Sequence, residues 1–250
     1  MRVLRESDFR FQTYEQAVQN TAFTLRFLEQ EFKRERGRPP HSLREDFAGS
    51  AAVSYAFANV DRFAFAVDHD EHALAYGEQN HGPHSNVRTY CADVMLELGT
   101  HDLCVVENFS IGYFHERSAL MRYLEKTYRS SSSEGAFFCD LLSGSQLREG
   151  KWQREHQEPF SWSFQQISFE PLSGRGKFTL ELPNRSGVRV PAFQYDWRLY
   201  GVAELREAFL EAGFSKVSIL SPAPNKGNVY RRRKTLEPTP MEVLYLVAWV

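Results

Sequence analysis

Apolar residues recur at helical spacing from about Tyr14 to Arg36, through Ala17, Thr21, Leu25, Leu28 and Phe32. The segment closes on Lys33-Arg34-Glu35-Arg36-Gly37, a basic last turn followed by glycine. One amphipathic helix is predicted there. Beyond it, short apolar runs alternate with helical stretches. Strand one is predicted over Ser42 to Phe47, a helix over Ser50 to Ala58 and strand two over Phe63 to Asp68. A helix over Asp70 to Asn80 follows, stopped by His81-Gly82-Pro83. Strand three is predicted over Val87 to Ala92 and strand four over Asp102 to Glu107, where Leu103-Cys104-Val105-Val106 is the continuous apolar run of a strand buried on both faces. A helix over Glu116 to Arg129 turns Ala119, Leu120, Tyr123 and Leu124 inward. Ser130 to Glu134 reads as a polar loop, and Gly135 to Leu142 as strand five. Strands and helices alternating in this rhythm build βαβ units and a parallel sheet, an α/β fold.

The pattern changes after strand five. Residues Lys151 to Tyr200 hold ten aromatics, three of the four tryptophans among them, in alternating stretches such as Phe160-Ser-Trp-Ser-Phe and Lys177-Phe-Thr-Leu-Glu-Leu. Period-2 alternation predicts antiparallel strands, with Pro171-Leu172-Ser173-Gly174 as a turn. The earlier rhythm resumes with a helix over Val202 to Ala212 closed by Gly213 and a strand over Lys216 to Leu220. A Pro/Asn/Gly-rich connection then leads to a last apolar strand, Val243 to Val250.

At 250 residues and a formal net charge of −2, the chain suits one elaborated domain, and nothing in its total charge demands a nucleic-acid or membrane-surface partner. Arg231-Arg232-Arg233-Lys234 reads as a solvated run in a connection. Cys91, Cys104 and Cys139 stand singly in apolar runs, without the paired spacing of a disulfide frame or a zinc site. No secretory leader or 18-residue apolar span is visible, so a cytoplasmic protein is expected.

Asp68 closes the second strand roughly 20 residues beyond a small-residue turn, Ala48-Gly49-Ser50, which is how a βαβ unit holds a nucleoside ribose beside a helix N-terminus. An ordinary β-to-α turn is the alternative reading of that loop. Asp70 reads as the N-cap of the next helix. Asp68, His69, Asp70 and His72 diverge between strand end and helix start, so no metal site is expected.

Four segments carry a resemblance: Glu45-Asp46-Phe47-Ala48-Gly49-Ser50-Ala51, Ala66-Val67-Asp68-His69-Asp70, Cys91-Ala92-Asp93-Val94, and Val105-Val106-Glu107-Asn108-Phe109. Together they resemble the class I S-adenosylmethionine-dependent methyltransferases over about Leu43 to Leu142 and the final helix and strands. The first motif keeps one glycine, Gly49, where the family usually has three small residues, often glycines. The resemblance implies a Rossmann-like, seven-stranded, mainly parallel sheet with helices on both faces, the last strand antiparallel, and a β-rich insertion between strand five and the last helix. It divides the chain into a helical segment 1–41, a cofactor-binding core 42–143, an aromatic lid 144–200 and a closing part 201–250.

It also implies S-adenosylmethionine as cofactor, contacted by Glu45, Phe47, Ala48, Gly49, Asp68, His69, Asp93, Val94 and Asn108, with Asp68 on the ribose and Asp93 and Val94 on the adenine. A methyl acceptor, a small molecule with an N or O nucleophile, is expected against Tyr113, Tyr195, Trp197 and Arg198. Glu107 and His115 are the candidate general bases, with Asp196 and Tyr195 also available by placement. Core packing is the alternative reading for the aromatics. A non-catalytic nucleoside-binding protein, a nicotinamide-dependent oxidoreductase, and a methyltransferase acting on protein or RNA stand as rivals.

Overall fold

The computed structural model describes residues 6–223 and 229–250. The start of the chain and residues 224–228 of the Pro/Asn/Gly-rich connection lie outside the described residues.

The amphipathic stretch before the first strand forms two helices, α1 (Glu6–Ala17) and α2 (Thr21–Arg36), where one was expected from Tyr14 onward. Asn20 divides them: its side chain accepts the Phe23 N–H at 3.1 Å as an N-cap, a bond that competes with continuing the helix. Gly37 ends α2 in the left-handed conformation, φ 74°, its N–H returning to the Lys33 carbonyl.

The core then runs β1 (Ser42–Asp46), α3 (Ala52–Phe57), β2 (Phe63–Asp68), α4 (Glu71–His81), β3 (Val87–Cys91), β4 (His101–Val106), α5 (Arg117–Arg129) and β5 (Ser131–Ser143). Asp70 caps α4, accepting from the His72 and Ala73 amides at 3.0 and 3.2 Å. The polar run expected as a loop before strand five belongs to β5, which pairs with β4 across a shift in register: Ser131 lies opposite His101 and Ala136 opposite Leu103. Its serines find partners there, Ser132 donating to Asp102 at 2.9 Å.

An antiparallel sheet follows, β6 (Trp152–His156), β7 (Trp162–Glu170), β8 (Arg175–Pro183) and β9 (Arg189–Arg198), inserted between β5 and α6 (Val202–Glu211). The chain closes with β10 (Lys216–Pro222), β11 (Tyr230–Arg233) and β12 (Glu242–Trp249). The main sheet has the order β11-β10-β12-β5-β4-β1-β2-β3, parallel from β3 to β5, with β12 antiparallel between β5 and β10.

It has eight strands rather than seven, because β11 adds to the edge. That strand contains three of the basic residues read as a solvated run. Arg232 instead lies against α2, donating to Glu31 at 2.9 Å and Glu35 at 2.7 Å, and Arg233 donates to the Ser221 hydroxyl at 2.8 Å.

Alternate residues of the central strands face opposite layers. Cys104, Val106 and Phe137 pack with Leu120, Tyr123 and Phe209 of α5 and α6, while Leu103, Val105 and Phe138 pack with Phe27, Phe32 and Phe57 of α2 and α3. A buried polar knot ties the β3–β4 connection to this frame. Arg44 donates to Asp46 at 2.8 Å and to the Leu96 and Val94 carbonyls at 2.7 Å, and Lys126 donates to the same Val94 carbonyl at 2.8 Å. The Tyr123 hydroxyl donates to the other Asp46 oxygen at 2.8 Å, so this buried charge is fully engaged. Val94, expected beside the adenine, thus serves through its carbonyl as an anchor for buried cations.

Candidate active site

Four strands end side by side at the carboxyl edge of the sheet, and the loops leaving β1, β2 and β4 surround a cleft of about 870 Å³. The β1 loop turns tightly, with Phe47 at φ 57°, Gly49 at 54° and Ala51 at 56°. Left-handed backbone costs a residue with a Cβ roughly 1–3 kcal/mol, and such strain persists where surroundings over-determine it. Phe47 is held by its ring, which stacks on Tyr113 at 5.8 Å and meets Phe114 edge-on. The loop therefore keeps a glycine-like path in which only Gly49 has no Cβ.

Asp68 braces this loop from the next strand. Its Oδ2 accepts the Gly49 N–H at 2.7 Å and its Oδ1 the Asp70 N–H at 2.8 Å. A carboxylate has about four acceptor positions, so two stay available toward the cleft.

The β4 loop repeats the device. Asn108 and Phe109 are consecutive left-handed residues, φ 56° and 60°, and buried Asp140 of β5 accepts both of their amides, at 3.0 and 2.8 Å. Burial, then the nearby Glu107, drives the Asp140 carboxyl well above the usual carboxylate range. Burial likewise lifts Glu107 to about 7, opposed by the Thr24 hydroxyl that donates to it at 3.1 Å, and Glu45 to about 8.

Phe47, Ala48, Gly49, Asp68, His69, Asn108, Tyr113 and Tyr195 all line the cleft. Others expected in the site stand elsewhere. Glu45 is buried behind it, its Oε2 accepting the Ser54 N–H at 2.8 Å and hydroxyl at 2.6 Å, so it props the start of α3. Asp93 is exposed one strand farther out and accepts its own turn's Met95 N–H at 2.7 Å.

His115 is turned away from the cleft, with Nε2 at 2.7 Å from the Asp196 carbonyl. Asp196 itself is paired with Arg175 at 3.0 Å. Arg198 donates to the His115 carbonyl at 3.0 Å and to Glu204 at 2.9 Å and stacks on Tyr200, so its guanidinium holds β9 to α6. Glu107 lines neither this cleft nor its neighbour.

That neighbour, about 790 Å³, opens between the loops and the inserted sheet and is walled by Trp152, Trp162, Phe164, Tyr195 and Trp197. Tyr14, Asn108 and Tyr195 line both spaces and form the wall where they meet. Burial raises the Tyr14 phenol, helped by Asp140, and raises Tyr195, so both stay protonated.

Helix α1 supplies Phe11 and Tyr14 to the first cleft. It is held down by Glu15, which accepts from the Ser50 hydroxyl and lies 2.8 Å from His81 Nε2, and by Arg10 over the Phe193 ring. Gln19 also lines the cleft, and its Oε1 is buried without a hydrogen-bond partner. Asp140, Tyr14 and Gln19 were not among the sequence candidates. A carboxylate inside the apolar run Cys139-Asp140-Leu141 was a usable signal, since lone buried acids need bonds; nothing local marked the other two.

Among the described residues no helix is long and apolar enough to cross a membrane. No protein-family model matches the chain, and no curated protein matches it by sequence. Solved structures do match. A S-adenosylmethionine-dependent methyltransferase from Clostridium acetobutylicum aligns with a TM-score of 0.71 at 15% identity, over 95% of this chain and 96% of that one. DesVI of Streptomyces venezuelae gives 0.70 at 12%, over 99% of each chain. CalS10, an amino pentose methyltransferase from Micromonospora echinaspora solved with S-adenosylmethionine bound, gives 0.63 at 12%, over the full length of both. At these identities the likeness is one of fold, and the chain has the class I methyltransferase fold.

Proposed function

We propose that this protein is a S-adenosylmethionine-dependent methyltransferase acting on a small molecule. The observation that carries the reading is the pair of adjoining spaces, one at the carboxyl ends of β1 and β2 and one under the inserted sheet, which share Tyr14, Asn108 and Tyr195. A transfer between two bound molecules needs two such spaces with a common wall.

The residues of the first cleft suit the cofactor. Asp68 has acceptor positions left for two ribose hydroxyls. The loop at Ala48, Gly49 and Ser50 brings backbone close to the ligand, and Gln19 Oε1 can accept from an amino group.

When bound, S-adenosylmethionine supplies an activated methyl group on a sulfonium, whose leaving group is neutral. The chain's own part is alignment: holding an acceptor in the second space, beside Tyr14, Asn108 and Tyr195. Positioning of this kind lowers a barrier by roughly 7–11 kcal/mol. Tyr14 and Tyr195, protonated, orient the acceptor as hydrogen-bond donors. Glu107, bonded to the Thr24 hydroxyl, reaches neither space and is assigned no proton transfer.

Calorimetry with S-adenosylmethionine, followed by mass spectrometry of small molecules incubated with enzyme and cofactor, tests the reading. Binding together with a methyl-sized mass gain in one metabolite fraction is expected. Preference for a nicotinamide dinucleotide, or tight cofactor binding with no transfer to any fraction, would overturn it, the second in favour of a non-catalytic binding protein. Label entering protein or RNA instead would overturn the acceptor class.

A further inference from the structure

The walls of the second space restrict the acceptor, on the premise that the transferase reading holds. Strand β6 alternates Trp152, Arg154 and His156 toward that space, and in register across β7 stand Gln166, Phe164 and Trp162. His156 lies flat on Trp162, ring centroids 3.8 Å apart and planes within 4°, and Tyr195 stacks on Trp197 at 4.4 Å. These side chains give the space mainly aromatic walls, which suit a planar ring.

The charge offered to that space is a cation's. Arg154 is exposed at the mouth, and among the described residues its guanidinium has neither an ion pair nor a hydrogen bond. Burial, then the charge of Arg154, lowers the pKa of His156, which leaves a neutral imidazole beside the one fixed positive charge. None of the described residues lining the space is an aspartate or glutamate. A cationic, hydroxyl-rich acceptor such as an amino sugar would meet a like charge and find few acceptors for its own donors.

We propose that the acceptor is a planar aromatic or heteroaromatic molecule carrying an anionic substituent: the ring packs against the aromatic walls of the space, and the anion pairs with Arg154. The methylated atom is then an N or O substituent on the ring facing Tyr14 and Asn108: its bond to the methyl carbon forms as the carbon–sulfur bond breaks to leave a neutral thioether, and its proton passes to solvent at the mouth of the space.

Three of the four tryptophans line this space and the fourth, Trp249, is buried in the main core, so ligand binding can be read by fluorescence without any methyl transfer. Indole-3-carboxylate and 3-hydroxybenzoate, their carboxamides, and glucosamine are titrated against wild type, Arg154→Ala and Arg154→Lys. The acids are expected to quench at concentrations about tenfold lower than the amides, the worth of one charge-assisted contact. That advantage should vanish in Arg154→Ala and largely survive in Arg154→Lys.

An acid preference unchanged in Arg154→Ala, or glucosamine binding ahead of both acids, would overturn the inference. Acids that bind through Arg154 but accept no methyl group would support it and overturn the transferase reading instead. Methyl transfer to a neutral or cationic sugar, with the aromatic acids inert, would do the reverse.

Discussion

Asp68→Ala separates two jobs that one carboxylate performs. In the structure it accepts the Gly49 and Asp70 amides at 2.7 and 2.8 Å, and only 10% of the side chain is exposed. Removing it frees two N–H groups on half-buried backbone, which water reaches in part, so the unliganded protein should lose roughly 1.5–3 kcal/mol, about the worth of one of the two charge-assisted bonds. The same substitution deletes the acceptors proposed for the ribose. A further 1.5–3 kcal/mol should leave cofactor affinity, which is about a 10- to 150-fold rise in Kd.

The two losses are told apart with ligands rather than with stability. Adenosine and 2′,3′-dideoxyadenosine are titrated by calorimetry into wild type and variant, closing a cycle between the carboxylate and the hydroxyls. If Asp68 holds the ribose, the variant should lose most of its affinity for adenosine and little for the dideoxy compound. Equal losses for both would reduce Asp68 to a loop brace and remove the ribose assignment.

Glu107→Gln should be pH-selective. The folded pKa of about 7 lies above the roughly 4.5 of the unfolded chain, so between those values the unfolded state binds fewer protons and stability falls as pH rises. The variant should melt higher than wild type at pH 8, by up to about 3 kcal/mol of stability, and match it near pH 4.5; an equal difference at both pH values would show that the carboxyl is not held neutral. Gly77→Ala tests the seating of α4 on the β1 loop, because a Cβ there would lie 2.7 Å from the Ser50 carbonyl carbon. It should lower the melting temperature and weaken cofactor binding together, at a cost of about 1–3 kcal/mol for overpacking, and a variant with wild-type affinity would mean that the loop is free to shift. Asp93→Ala, at an exposed residue that bonds its own turn, should cost under about 1 kcal/mol of cofactor affinity; a loss as large as that of Asp68→Ala would move the centre of the site outward to β3.

The legible parts of the molecule were those whose cause is local. The strand–helix rhythm, the Asp70 cap and the glycine that ends α2 depend on neighbours a few residues away, and all three appear where the sequence places them. The break at Asn20 was hidden because a helical period runs through it, and one side-chain bond decides the matter. β11 was hidden for another reason: three consecutive arginines look solvated until Glu31 and Glu35 of α2 are brought beside them. His115 and Arg198 are placed correctly along the chain, yet neither reaches the cleft, because contacts with β9, α6 and each other use their polar atoms. Sequence position gives a residue's strand end; it does not say which way the side chain is drawn.

The loss of motif glycines has a physical answer in the same carboxylates. Phe47, Ala51, Asn108 and Phe109 all adopt left-handed backbone around one site, and at roughly 1–3 kcal/mol each the strain rivals the net stability of a small domain. It is tolerated because acceptors are built where the amides point: Asp68 fixes the turn at Gly49, Asp140 fixes Asn108 and Phe109, and the Phe47 ring is wedged between Tyr113 and Phe114. Two buried acids and an aromatic stack thus hold the path that glycines would follow freely. A loop held this way has less freedom to lose when a ligand arrives, so part of the cost of ordering the site is met during folding rather than during binding.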